Sequence, residues 1–592
     1  MHDYIHPQRE VEFLLQQVLG LSQLCQREGG EAFDADLLPV ILAEAARLAS
    51  EVLVPLNRSG DRDGCRLGAE GVEQAPGFRE AYRQFIDGGW NGLTASSAFG
   101  GQGLPNLVGF AVDEIWQSAN MAFSLCPLLT QGAAELIATH GSDALQREYL
   151  HHMVSGQWSG TMNLTEPDAG TDLAALKTRA WPEGDHYRLS GQKIFITWGD
   201  HRMTDNIVHL VLARLPDAPA GVKGISLFLV PKYLPGKDGT PGEANDLSCI
   251  AIEHKLGIHA SPTCVMSYGD HEGAIGYLIG EPHQGLAQMF TMMNSARQAV
   301  GLQGVAIAER AYQQARDYAR QRLQGTRPDG SRFTIIHFPD VRRMLMLMKA
   351  ATEAMRALAY AAAAEADHAR LVPDAEQRGR HYARLELLTP IVKGWCTELA
   401  QEVTYLAGQV HGGMGYIEET GVAQHYRDAR ILTIYEGTTG IQALDLVGRK
   451  TLLDGGQALS DWFAEIETTL KVLEASNALG CRGVGLRKAL DAARVARAWL
   501  LENATRDPAA AGCVSVPFMM LLGYLGGGWM LARAALKAQE QLDTGEGDAA
   551  FLQAKKATCL FYHEHLLPRT QGYLDSLLAG SGSVMAVPED QF

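Results

Sequence analysis

Through about residue 157, apolar residues recur at helical spacing, in runs such as DLLPVILAEAARLASEVL and NLVGFAVDEIWQSANMAFSLCPLLTQGAAELIATHG. The Gly-rich stretch FGGQGLP at 99–105 interrupts them as a loop. This pattern predicts an N-terminal helical domain over 1–157. From Trp158 to about Glu281 the period shortens to that of strands, in YRLSGQKIFIT, NIVHLVLAR and GISLFLVP, with the polar loop PGKDGTPGEANDL between them. A middle β domain is expected over 158–284. Between Gly285 and Leu323 no proline occurs and the apolar positions keep helical spacing, which predicts one long helix. More helix follows, giving a helical bundle over 285–450. Beyond it, Phe463, Ile466, Leu470 and Leu473 form one apolar stripe, and Leu486, Leu490, Ala493 and Leu500 start another. These imply an additional C-terminal helical domain over 451–592, closed by the tail GSGSVMAVPEDQF. The fold class is α+β.

The run from Val514 to Ala532 carries no charge and is just long enough to span a bilayer. Pro517 and four glycines within it favour a buried core helix, with membrane contact at most peripheral. A chain of 592 residues, 46% hydrophobic and 20% charged, can bury an extensive core in several domains. A formal charge of -17 argues against a broad nucleic-acid surface, which needs clustered Lys and Arg. Nine scattered cysteines with no CxxC pair argue against a disulfide framework and a structural zinc site, and for a cytoplasmic protein. The N-terminal MHDYIHPQREVEFLLQQVLG reads as a first structural element rather than a targeting segment. No metal site is expected, and no Walker loop, HExxH or GxGxxG occurs.

The most informative segment is ILTIYEGTTGIQ, which sets Glu436 between Tyr435 and the small, donor-rich run Gly437-Thr438-Thr439-Gly440. A lone carboxylate beside backbone that can approach a ligand closely suits a general base removing a carbon-bound proton, with amides holding the developing oxyanion. Taken alone, the segment reads far more readily as an ordinary strand-to-helix turn. Its company changes that: TMNLTEPDAGTDL at 161–173, GQKIFITWGD at 191–200, MNSAR at 293–297 and QVHGGMGY at 409–416 precede it. Their order is that of the acyl-CoA dehydrogenase family, which the chain resembles over roughly residues 35–450.

The resemblance implies FAD as cofactor, held between the β domain and the helical bundle. It assigns flavin contacts to Met162, Leu164, Thr165 and Thr171, to Phe195, Ile196 and Thr197, and to Thr438. Arg322 matches the family's pyrophosphate ligand; Gln409, Gly412 and Gly413 match residues that reach a partner subunit's flavin. Substrate contacts are implied for Thr171, Asn294, Arg297 and Gly437. Several positions depart from the family pattern: Asp168 for glycine, Thr171 for serine, Phe195 for tryptophan, Asn294 for aspartate, and His337 where a glutamine is usual. The family has two locations for its base, and this chain has Glu436 in one and Ala296 in the other. The implied reaction is α,β-dehydrogenation of an acyl-CoA to trans-2-enoyl-CoA. The resemblance makes Glu436 the base, with its pKa raised once the acyl chain expels water around it. The long C-terminal region and motifs such as EHKLGIHASPTCVM look like the long bacterial branch that contains 3-methylmercaptopropionyl-CoA dehydrogenases, so a fatty acyl or a thioether acyl group is expected. Electron-transfer flavoprotein as acceptor and a homodimer are further implications. Three rivals stay open: an acyl-CoA oxidase, a non-catalytic nucleic-acid-binding relative of the alkylation-response type, and a flavin monooxygenase. The absence of a strong Lys/Arg cluster in 451–592 weighs against the second, and the Glu in YEG against the third.

Overall fold

The computed structural model describes residues 4–25, 33–236, 239–479 and 482–592. Met1–Asp3 of the expected first element, Lys237 and Asp238 of the polar loop, and Cys481 therefore lie outside the described residues. Packing divides the chain into two compact units. A sheet unit holds 44–104 and 115–296; a helical unit holds the residues up to Ala43, 105–114 and 297–592. Segments of the first 157 residues fall in both, because packing rather than chain order defines the units.

In the sheet unit, helices α1 (Met121–His140) and α2 (Asp143–Val154) precede the strands. The sequence pattern suggests unbroken helix from residue 106 to 140, but Asn120 interrupts it. Its side chain accepts from the Phe123 amide at 3.1 Å, so one helix ends at Ala119 and α1 starts at Met121. The strands are β1 (Trp158–Asn163), β2 (Arg179–Glu183), β3 (His186–Thr197), β4 (Asn206–Arg214), β5 (Ile225–Pro231), β6 (Leu247–Ile252), β7 (Thr263–Tyr268) and β8 (Ala274–Leu278). They form one sheet in the order β6-β7-β3-β8-β5-β4-β1, with β2 pairing β3 and β4. The β1–β4 and β2–β4 pairs are parallel; the others are antiparallel. Strands β4 and β5 are buried along nearly their whole lengths, as continuous apolar runs covered on both faces must be. One core gathers Leu129, Ile137, Trp158, Leu210 and Leu227; a second gathers Leu189, Ile196, Val211, Phe228 and Tyr268.

The expected long helix is α3 (Gly285–Gln321), and the division between the units falls within it, between Ala296 and Arg297. In the helical unit follow α4 (Pro339–Leu371), α5 (Ala375–His411), α6 (Thr439–Val447), α7 (Gln457–Ala475), α8 (Gly483–Asn503), α9 (Ala510–Thr544), α10 (Ala549–His565) and α11 (Arg569–Leu578). Both stripes read from the sequence, Phe463 to Leu473 and Leu486 to Leu500, are buried. Helix α9 packs against α4, α5 and α6, and the charge-free run lies within it. Its glycines are there for close approach: a Cβ at Gly523 would run into the Trp395 ring of α5, and Gly528 abuts Leu567. By length and composition both α1 and α9 could cross a membrane, but 67% and 72% of their apolar windows are buried in protein, as core helices are.

Two buried charge networks bind the helical unit together. Arg356 of α4 reaches Glu114 and Glu309 at 2.7 Å each, and Tyr360 donates to Glu114 at 2.8 Å. Lys555 of α10 bonds Glu353 of α4 at 2.6 Å and Glu10 at 2.5 Å, so the C-terminal helices and the N-terminal helix share one anchor. Removing one partner from such a network costs about 3–5 kcal/mol, because the charge left behind stays buried.

Candidate active site

Glu436 ends the turn ahead of α6, which Thr438 caps by accepting from the Ile441 amide at 3.4 Å. Glu436 has φ +56° and Gly437 φ +92°, two successive left-handed residues. Glycine is needed at 437, where a Cβ would lie 2.6 Å from Gln442 Nε2. At Glu436 a side chain is carried in the same region at a cost of roughly 1–2 kcal/mol, strain that marks functional sites more often than loops. The surroundings hold the turn in place. Gln442 Nε2 donates to the Glu436 carbonyl at 3.0 Å, Lys393 Nζ donates to the Gly437 carbonyl at 2.6 Å, and the Tyr435 hydroxyl donates to Gln303. Gln303, Gln442 and Lys393 are wholly buried.

No hydrogen bond from the described residues reaches the Glu436 carboxylate, which is partly buried. Burial pushes its pKa above the ordinary value, and the charges of Arg297 and then Lys393 offset part of that rise. Lys393 is pushed down to about 8 by burial, against the pull of Glu436 and Glu398. Arg297 is buried with its Nη1 3.6 Å from Asp445 Oδ2, and desolvation lowers its pKa too. A carboxylate with raised proton affinity and no hydrogen-bond partner is suited to take a proton from carbon.

In the sheet unit, the two segments expected to meet a flavin lie side by side. Ile194 N donates to Thr165 O at 2.9 Å, and the wholly buried Lys193 bonds Leu164 O at 3.0 Å and Glu166 Oε1 at 2.8 Å. Glu166 also accepts from the Lys177 and Thr178 amides and the Thr178 hydroxyl. Phe195 and Trp198 have φ of +60° and +52°, and Phe195 is 58% exposed despite its size. Thr165 and Thr197 are partly buried and Thr171 is exposed, and none of the three hydroxyls has a protein partner among the described residues. Met162 and Leu164 are partly buried beside the first core. The Ile196 side chain is 2% exposed in the second core, so only its backbone can serve a ligand. Unpartnered hydroxyls beside a bare aromatic face suit an isoalloxazine ring, which offers hydrogen-bonding edges and flat faces, so these residues fit FAD.

The remaining expected ligands are distributed as follows. Asn294 of α3 is partly buried; Arg322, just past the end of α3, is exposed. Gln409, Gly412 and Gly413 at the end of α5 are exposed, with Gly412 at φ +60° where the helix stops. His337 is exposed against Phe333. Sequence reasoning missed Lys393, Gln303, Gln442 and the Lys193–Glu166 pair. A lysine amid LLTPIVKGWC, on a helix otherwise apolar there, is the one signal that could have revealed Lys393.

A partly buried carboxylate with raised proton affinity in the helical unit, and segments fit for a flavin in the sheet unit, are each what a flavin-dependent dehydrogenase requires. Comparison with known proteins makes the class specific. Family profiles match residues 41–157 as the acyl-CoA dehydrogenase N-terminal domain, 161–270 as the middle domain and 283–451 as the C-terminal domain; 462–588 match an "acetyl-CoA dehydrogenase C-terminal like" domain. The chain is 49% identical over 572 residues to 3-methylmercaptopropionyl-CoA dehydrogenase of Ruegeria pomeroyi, covering 95% of this chain and 96% of that one. It is 33% identical, over the full length of both, to the broad-specificity linear acyl-CoA dehydrogenase FadE5 of Mycobacterium tuberculosis. An acyl-CoA dehydrogenase of Bacillus anthracis, solved with FAD, shares the fold with TM-score 0.74 at 21% identity, covering 96% of this chain and 91% of that one. The chain belongs to the acyl-CoA dehydrogenase family, FAD-dependent oxidoreductases of acyl-CoA thioesters, in a form with an extra C-terminal domain.

Proposed function

We propose that the enzyme converts an acyl-CoA to its trans-2-enoyl-CoA with Glu436 as the base. One observation carries this reading: Glu436 is a strained, partly buried carboxylate that receives no hydrogen bond from the described residues, its proton affinity raised by burial and trimmed by Arg297 and Lys393. Glu436 removes the α-proton, and its own amide holds the thioester oxygen so that the α-carbon becomes acidic. FAD bound there would supply the acceptor to which the β-hydrogen leaves as hydride. Thr165, Thr171, Thr197 and the Phe195 ring orient the cofactor, Arg322 takes its diphosphate with a two-pronged donor, and Gln409, Gly412 and Gly413 serve the site of a second copy in a homodimer. Arg297, Asn294 and Gly437 line the substrate side. The relative at 49% identity favours 3-methylmercaptopropionyl-CoA as substrate; the linear acyl-CoA enzyme at 33% identity keeps fatty acyl-CoA and β-oxidation as the second reading. Electron-transfer flavoprotein is the acceptor in this proposal, and the unpaired cysteines among the described residues support a cytoplasmic setting.

The test is an anaerobic titration of the purified holoenzyme with 3-methylmercaptopropionyl-CoA and with straight-chain acyl-CoAs, following flavin absorbance. Bleaching by the thioether ester at the lowest concentration is expected. A flavin left oxidised by every thioester would overturn the dehydrogenase reading, and rapid oxygen consumption in air would replace it with an oxidase.

A further inference from the structure

The Glu436 turn is held from behind by Lys393, whose part in the chemistry just described is only to trim the proton affinity of the base. Lys393 sits mid-way along α5, wholly buried, with Pro390 one turn before it and Trp395 two residues on. Its ammonium donates at 2.6 Å to the carbonyl of Gly437, the residue immediately after the base. The backbone there is left-handed at both residues, a conformation that a glutamate does not keep by itself. A lysine also carries a full charge into an apolar helix face, where a neutral hydrogen-bond donor would pin the carbonyl equally well. The charge therefore needs a reason beyond the hydrogen bond.

We propose that Lys393 is a positioning residue for Glu436: its ammonium, mounted on α5, locks the left-handed Glu436–Gly437 turn through the Gly437 carbonyl and supplies positive field that keeps the partly buried base ionised. This rests on the reading of Glu436 as base. The charged groups acting on the pair are Arg297 from α3 and Glu398 from α5 itself; Arg297 in turn faces Asp445 of α6 and Arg449 of the turn after it, and the neighbouring Tyr435 phenol feels Glu436, whose charge helps to hold the phenol proton. On the α9 side, Met519 fills the space at Gly394. Glu398 and Glu436 both favour the charged form of Lys393, and Arg297 opposes it. The coupling runs both ways: losing the Lys393 proton removes one of the two charges that hold the carboxylate ionised. The dehydrogenation rate should thus rise with pH as Glu436 ionises and fall again as Lys393 deprotonates near pH 8.

The experiment measures single-turnover flavin reduction against pH in the FAD-loaded protein, using the acyl-CoA that bleaches the wild type. Lys393→Met should lose both effects: the rate at neutral pH falls at least about tenfold and the rising limb moves up by about one pH unit, the same factor expressed as acidity. Lys393→Gln keeps a donor for the Gly437 carbonyl, so it should recover rate but not the position of the rising limb; Lys393→Arg should restore the limb. Unchanged limbs in both neutral variants would overturn the proposal. Should these variants fail to fold, Glu398→Gln leaves Lys393 in place but removes a counter-charge, and should shift the falling limb to lower pH; a falling limb that does not move overturns the proposal. Failure of the base reading looks different, because Glu436→Gln would then still reduce the flavin.

Discussion

Two glutamate–lysine pairs, one in each unit, use the same residue types to opposite ends. In the sheet unit, burial acts to raise the Glu166 pKa, but the Lys193 charge and hydrogen bonds from Lys193, Thr178 and the Lys177 amide outweigh it and leave the carboxyl below its ordinary value. In the helical unit, Glu436 feels charges from Arg297 and Lys393 but receives no hydrogen bond from the described residues, and burial leaves its proton affinity raised. Both lysines are pushed down to about 8 by burial. The difference is hydrogen bonding to the charged form, which spends the carboxylate's lone pairs in one case and leaves them available in the other. A satisfied buried carboxylate is architecture; an unsatisfied one can do chemistry.

The sharpest way to break that contrast is to neutralise each carboxylate in turn. Glu436→Gln should slow flavin reduction by an acyl-CoA more than about 1000-fold, as loss of a base does, with a melting temperature close to wild type. Stopped-flow absorbance and differential scanning fluorimetry read the two quantities together. Glu166→Gln should do the reverse. It leaves the Lys193 ammonium buried without its counter-charge, which destabilises by about 3–5 kcal/mol, so a clear fall in melting temperature and loosened flavin are expected. An unchanged melting temperature would show that the clamp on the flavin segments is dispensable. Glu436→Asp withdraws the carboxylate by one methylene; a loss of about 100-fold in rate is expected from a misplacement on the order of 1 Å.

The smallest effect has the clearest sign. Glu166 has a folded pKa below its ordinary 4.5, so its contribution to stability is complete above that value and is lost as pH falls through the folded one. Glu436 has a folded pKa above 4.5, so its contribution is complete below that value and is lost as pH rises through the folded one. Melting temperatures of wild type against each Gln variant, measured from well below pH 4.5 up to pH 8, should therefore diverge in opposite directions, by about 1.4 kcal/mol for each pH unit separating folded and unfolded values. Parallel curves would remove the distinction between the two sites.

Much of this could be read from the chain because local period and local chemistry agreed. The change from helical to alternating spacing at Trp158 marks β1, and the proline-free run after Gly285 becomes a 37-residue helix. Glu436 stood out through the small residues beside it and the four motifs ahead of it. What could not be read depends on contacts between distant segments. Lys393 lies 43 residues before Glu436, and nothing local shows that its ammonium meets the Gly437 carbonyl. Ile196 sits in a strand where alternation leaves the choice of face to the pairing partners, and the pairing turns its side chain into the core. The break at Asn120 was hidden because the apolar pattern runs through it while the cap is made by a single side chain.

The glycine-lined helix α9 has a consequence for how the chain can be shortened. Trp395 of α5 and Leu358 of α4 are both capped by glycines of α9, and α5 carries the lysine behind the base. A chain cut after residue 450 would uncover a slot shaped for a backbone with no side chains, a narrow cleft rather than a smooth surface. Solvent would fill such a cleft poorly, and no ordinary helix rich in leucine could replace the missing one without clashing. Trimming or exchanging the terminal domain thus demands redesign of α4 and α5 as well, so the extra length behaves as inherited core and not as an appendage that recombination could add or drop freely.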